Sequence, residues 1–232
     1  MGAGASVQQA DGVSGPDKRQ IVIAAVIVAV VLAVVALLYF TMRPRLVGDD
    51  KLAALFLDSN QVSAVMDAPM TLGDVGTGGL TTAGALSRAG CLSALTAAQE
   101  LSYTDSGHTG LRWIEARDST EHVQHYVVQA AAAFPSAERA AAFVANAAAQ
   151  WRLCADQTVL TVGPDQASLK WRLAGVVGVP PAISILETRE DVKWTCQRAL
   201  RASANVVVDV TACADHITDQ GRKIGDEVAA KL

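Results

Sequence analysis

Val192-Lys193-Trp194-Thr195-Cys196-Gln197-Arg198-Ala199-Leu200 and Val206-Val207-Val208-Asp209-Val210-Thr211-Ala212-Cys213 read as the two arms of a β-hairpin. Both arms are rich in residues that suit a pleated surface, and a polar connection separates them. A turn centred between Ala204 and Asn205, with Asn supplying the residue tolerant of positive φ, sets the register. Counting outward from that centre places Cys196 opposite Cys213. Directly opposed antiparallel residues lie about 4.5 to 5.5 Å apart at Cα, within the reach of a disulfide. That pairing leaves Cys91 for Cys154, tying a Gly-rich region to the end of an Ala-rich helix. Loop entropy assigns about 3 kcal/mol to the short bridge and about 4 kcal/mol to the long one, as upper values. The alternative is four buried free thiols.

Upstream of the hairpin, Ala137 to Leu153 predicts a helix, with Ser136 as N-cap after Pro135 and Glu138 in the first turn. Ala140, Phe143, Val144, Ala147, Ala148 and Trp151 fall on one stripe, so this helix should lie flat on strands. Strands are expected at Arg112 to Arg117, His122 to Ala132, Thr158 to Val162, Ser168 to Leu173 and Ile183 to Thr188, with turns at 163–165 and 178–181. A short helix, Ser59 to Met66, has Asp58 or Ser59 as its cap, and a last helix from about Asp215 turns Ile217, Ile224 and Val228 inward. Gly73 to Gly90 reads as a surface loop, because a phosphate-cradling loop needs a strand before it and a helix after it.

At the other end, Ile21 to Phe40 is an unbroken apolar run, IVIAAVIVAVVLAVVALLYF. As a helix it is long enough to cross the roughly 30 Å hydrocarbon core of a bilayer. No small-residue cleavage pattern follows it, which argues for an uncleaved anchor over a signal peptide. Flanking basic residues do not decide its orientation, but all four cysteines lie beyond it, and an even set of thiols suits an oxidising compartment. The expected organisation is a disordered cytoplasmic tail over 1–20, a transmembrane helix over 21–40, a linker over 41–50 and an extracytoplasmic domain over 51–232. The twenty residues before the anchor are too few for a catalytic domain.

From Leu46 onward, 15 Lys and Arg stand against 21 Asp and Glu, a formal charge of −6 that argues against nucleic acid as a partner. His122 and His125 are three apart on an expected strand and point to opposite faces, so they cannot share a metal. No G-x-S-x-G or H-E-x-x-H occurs, and a disulfide-bonded cysteine is no nucleophile. Asp209 and Glu187 could form a carboxylate pair across strands, though strand-end carboxylates more often bond their neighbours. No cofactor, metal site or enzymatic activity is expected.

Candidates for a ligand cleft are the aromatic residues Trp113, Tyr126, Trp171 and Trp194, with Gln129, Arg172 and Arg198 near them. Tryptophan faces beside guanidinium groups can line a groove for sugars, peptides or anionic head groups. The plainer role for each Trp is core filling, and for each Arg a solvated face.

The cysteine spacing, Phe134-Pro135-Ser136 leading through Ala140 and Phe143 to Trp151 and Cys154, and the ending Cys196-Gln197-Arg198-Ala199, Asn205-Val206, Asp209, Cys213 together resemble the PknH-like extracellular sensor domain. That family occurs on mycobacterial receptor serine/threonine kinases and related lipoproteins, and the resemblance covers roughly Leu55 to Leu232. It implies an α+β fold: a twisted antiparallel sheet with packed helices, two disulfides and a cleft for an unidentified ligand. The chain departs from the family in lacking both a kinase domain before the anchor and a lipid-modified cysteine. Phosphorylation is therefore not carried over.

The expected function is a membrane-anchored, non-catalytic sensor that binds an envelope ligand such as a lipid, glycan or peptide, and that passes any signal through protein partners or clustering. The alternative is an envelope scaffolding protein with no small-molecule ligand. A closed concavity lined by Trp and Arg would favour the first and a flat apolar patch the second.

Overall fold

The computed structural model describes residues 18–41, 46–81, 84–162 and 168–232. Most of the expected 1–20 tail, positions 42–45 of the linker and the expected 163–165 turn lie outside the described residues. The chain divides into two compact units, residues 1–45 and residues 46–232.

In the first unit Lys18–Thr41 forms one 24-residue helix, α1. Its described apolar side chains are exposed, Leu32 by 63% and Leu37 by 64%. Among the described residues no helix is long and apolar enough to cross a membrane.

The second unit begins with two short helices, Asp49–Leu52 (α2) and Ser59–Met66 (α3). Three two-residue strands follow, Thr71–Leu72 (β1), Gly76–Thr77 (β2) and Ala85–Leu86 (β3), then the helical turns Leu92–Leu95 (α4) and Glu100–Tyr103 (α5). Gly110–Arg117 (β4) and His125–Ala133 (β5) lead into the long helix Ala137–Cys154 (α6). The remainder is Thr158–Val162 (β6), Ser168–Leu173 (β7), Val177–Val179 (β8), Ala182–Arg189 (β9), Thr195–Ser203 (β10), Val206–Ala214 (β11) and Gln220–Ala229 (α7).

The eleven strands among the described residues join one antiparallel sheet in the order β1-β4-β5-β11-β10-β9-β7-β6-β3, with β2 also on β4 and β8 also on β9. The central strand β11, VVVDVTACA, is buried at every residue. Its near-continuous apolar sequence follows from having both faces covered, since a half-solvated strand would alternate. On the first face Val128, Leu173, Ile185, Leu200 and Val207 meet the α6 stripe of Ala140, Val144, Ala148 and Trp151. On the second face Val127, Val208, Val210 and Ala212 meet Ile224 and Val228 of α7, Val62 and Met66 of α3, and Leu52 and Leu57.

Capping agrees with the sequence. Ser136 accepts a hydrogen bond from the Arg139 N–H, and Asp58 and Gln61 form a reciprocal capping box on α3. Ile217, Ile224 and Val228 are buried as expected, although α7 begins at Gln220 and not at Asp215. The Gln220 side chain accepts the N–H groups of Thr218 and Asp219 and so holds the residues before the helix in a turn.

Three further expectations need correction. Strand β5 starts at His125 and not at His122, because Asp118 takes hydrogen bonds from the Gln124 N–H, Thr120 and His125 and closes residues 118–125 into a loop. Strand β10 starts at Thr195 and not at Val192, where the Arg189 N–H donates to the Trp194 carbonyl and closes the β9–β10 connection. At the hairpin turn the pairing of Ser203 with Val206 is as expected, but the positive φ of 47° belongs to Ala204. Asn205 is instead buried, and its side chain bonds Val47 and Phe134.

Candidate ligand cleft

One register row crosses five strands of the first face: Leu173 on β7, Glu187 on β9, Cys196 on β10, Cys213 on β11 and Tyr126 on β5. The two cysteines are bonded, with Cα atoms 4.0 Å apart, and Cys91 is bonded to Cys154. Two residues from this row stand Trp171 on β7 and, just ahead of β10, Trp194. The period of two gives them the same face as Leu173 and Cys196. Glu187, Cys196, Cys213, Tyr126, Trp171 and Trp194 line a cleft of about 330 Å³, completed by the 84–86 and 95–96 segments.

Beside the cleft lies a buried polar cluster centred on Arg198. Its Nη2 is 2.6 Å from Asp209 Oδ1, and its Nε and Nη2 donate to the Ser93 carbonyl at 3.2 and 3.0 Å. A third bond reaches the Val210 carbonyl, and the guanidinium sits 5.3 Å from the Trp151 ring. The other oxygen of Asp209 accepts the Ala98 N–H at 2.9 Å and the Tyr103 hydroxyl at 3.0 Å. Thr211 accepts the Ala97 N–H. These bonds, with the Cys91–Cys154 bridge and the Trp151 indole donating to Ser93, fasten the 91–104 segment onto the sheet. Burial and the neighbouring Asp209 carboxylate push the Tyr103 hydroxyl well above its usual pKa.

Glu187 and Asp209 are both buried but do not form a pair. Asp209 faces Leu200 across the hairpin and Glu187 faces Cys196, with Arg198 between them on β10. Burial holds the Glu187 carboxyl well above the ordinary carboxylate range, and Arg198 pulls in the opposite direction. Tyr126 donates to Glu115 at 2.6 Å, and burial together with that carboxylate raises its hydroxyl pKa.

Of the seven residues expected near a cleft, Tyr126, Trp171 and Trp194 line this one. Arg198 is 1% exposed and committed to Asp209 beneath α6. Gln129 lies on the second face, where its amide accepts the Leu57 N–H at 2.8 Å and donates to the Leu57 carbonyl at 3.1 Å. Arg172 follows Trp171 directly, so the pleat turns it to the other side, where it is exposed. Trp113 packs against the first-face core, its ring so close to Gly76 that an added Cβ would lie 2.1 Å from it. Sequence reasoning did not place Glu187 on the cleft floor. The available signal was a carboxylate following Ile183-Ser184-Ile185-Leu186, near the end of a strand in which Ile and Leu predominate.

Residues 47–231 match the family of PknH-like extracellular domains. The chain is 36% identical over 191 residues to the serine/threonine-protein kinase PknH of Mycobacterium bovis, covering 82% of this chain and 32% of that one. A PknH of Mycobacterium tuberculosis is likewise 36% identical, with 82% and 30% covered. The chain thus spans about a third of the length of the curated relatives it matches. It superposes on the crystal structure of the extracellular domain of PknH from Mycobacterium tuberculosis with a TM-score of 0.78 at 35% identity, covering 81% of this chain and 97% of that one.

Proposed function

Because the chain belongs to the PknH-like extracellular domain family, we propose that it is a non-catalytic sensor module held at the cell envelope, with its ligand in the cleft above the Cys196–Cys213 bridge. The observation that carries this reading is the aromatic lining. Trp171, Trp194 and Tyr126 converge from three separate elements on one concavity, and binding sites combine such apolar area with a few placed polar groups. The floor is rigid, because a disulfide and a buried ion pair fix its central strands before any ligand arrives. Pre-organisation of this kind lowers the cost of binding.

Residues 21–40 serve as the anchor. The support for this is the unbroken apolar sequence of 21–40, which as a helix would rise about 30 Å, the thickness of the hydrocarbon core. Two bonded cysteine pairs after the helix support an oxidising compartment for the second unit and a cytoplasmic position for the N-terminus. A signal from this module would pass through a protein partner or through clustering.

Tryptophan fluorescence of the full chain in detergent, titrated with lipid, glycan and peptide fractions of its own envelope, tests the binding reading. Saturable quenching by one fraction is expected, and no response to any fraction would contradict it. Protease treatment of intact cells tests the topology, with cleavage after residue 46 expected and full protection contradicting it.

A further inference from the structure

The cleft floor carries a buried carboxyl that no side chain hydrogen-bonds among the described residues. Glu187 is 1% exposed, lines the cleft, and finds no hydrogen-bond partner among the described residues. Arg198 is the nearest cation, but it is already paired with Asp209 at 2.6 Å and donates to the Ser93 and Val210 carbonyls. Two buried carboxyls therefore share one guanidinium. Among the described lining residues no Lys or Arg is present, and the flanking surfaces are the rings of Trp171, Trp194 and Tyr126. Aromatic faces attract cations, and most strongly where water is excluded. A carboxyl facing into such a cage needs a positive charge or a strong donor from outside to satisfy it.

We propose that the cleft takes an organic cation, an alkylammonium or guanidinium group, seated between the indoles of Trp171 and Trp194 with its N–H groups directed at Glu187. This rests on the cleft being the binding site proposed above and names its ligand class. Of the flanking charges, the β10 guanidinium is neutralised by Asp209, Arg189 at the end of β9 is paired with Asp191, and Arg117, 6.0 Å from the centroid of the uncharged Tyr126 ring, is paired with Glu115. An anionic head group would instead meet a carboxyl whose nearest cation, Arg198, is already paired with Asp209.

The test uses the full chain in detergent and three probes of matched shape: benzylammonium, benzyl alcohol and benzoate. Tryptophan fluorescence and indole N–H shifts report binding, and Glu187→Gln, Glu187→Ala and Trp171→Ala/Trp194→Ala are compared with the parent. Benzylammonium should bind about tenfold or more tightly than benzyl alcohol, with benzoate weakest. That preference should vanish in both Glu187 variants. Equal binding of the three probes, or a preference for benzoate, that depends on the two tryptophans would overturn the cation assignment and leave the cleft as a binding site. Binding unaffected by the tryptophan replacements, or none, would overturn both. The probe comparison on the parent chain decides the matter even if a variant fails to fold.

Discussion

Arg198 and Asp209 stand diagonally across the β10–β11 hairpin, buried to 1% and 4% exposure, with Nη2 2.6 Å from Oδ1. Each also holds the 91–104 segment, through the Ser93 carbonyl on one side and through the Ala98 N–H and Tyr103 on the other. Removing one member of a buried pair leaves the other charge uncompensated, at a cost of about 3 to 5 kcal/mol. Arg198→Met and Asp209→Asn should each lower stability by that order in urea unfolding. The double variant should lose less than the sum, because the two changes remove the same pair. Strict additivity would contradict the coupling.

Asn205 ties three segments together. Its amide donates to the Phe134 and Val47 carbonyls at 2.9 and 3.0 Å, and its oxygen accepts the Val47 N–H at 2.8 Å. Asn205→Ala would leave three backbone groups short of partners, so a loss of about 2 to 4 kcal/mol is expected. Hydrogen exchange should show the Val47 amide opening before the hairpin does. Unchanged protection at Val47 would count against the arrangement.

Helix α7 approaches β10 closely at Gly221, where an added Cβ would lie 2.7 Å from the Gln197 carbonyl. Gln197 also accepts the Arg222 N–H and donates to the Thr218 carbonyl, which caps the helix start. Backbone cannot yield as a flexible side chain can, so Gly221→Ala should cost about 1 to 3 kcal/mol despite the better helix propensity of alanine. A thermal melt showing equal or higher stability would contradict the close approach.

Glu187 sets a sign for the pH dependence. Its carboxyl keeps its proton in the folded state to well above the ordinary 4.5, because burial penalises the charge more than Arg198 favours it. The unfolded chain releases that proton near 4.5, so above this pH the folded state binds more protons and stability falls as pH rises. The contribution is complete below about pH 4.5 and lost as pH climbs through the folded value. Glu187→Gln carries no such proton, so its stability should gain on that of the parent as pH rises above 4.5. Urea midpoints of the two proteins across that range measure the difference, and a constant or shrinking gap would refute it.

Much of this domain is legible from local pattern. The hairpin centre alone sets Cys196 opposite Cys213, and the stripe from Ala140 to Trp151 predicts a helix lying on strands. Pairings between distant segments leave no such mark. Nothing near Glu187 in sequence shows that Trp171, sixteen residues earlier, and Tyr126 will border it. The period of two does separate Arg172 from Trp171, since neighbours on a strand face apart, and a stricter use of it would have removed Arg172 from the cleft. Ala204 takes the positive φ because Asn205 is recruited into the interior, a tertiary demand that turn preferences do not contain. Arg198 was visible only as a cation, and its burial depends on Asp209 and Ser93 arriving from elsewhere.

The central claim is that the concavity above the Cys196–Cys213 bridge holds a ligand. Native mass spectrometry of the full chain, extracted from its own envelope and compared with Trp171→Ala/Trp194→Ala prepared in parallel, tests it most directly. The account predicts a noncovalent small molecule retained by the parent chain and absent from the double variant. A parent chain that carries nothing, or a variant that retains the same molecule equally, would contradict it.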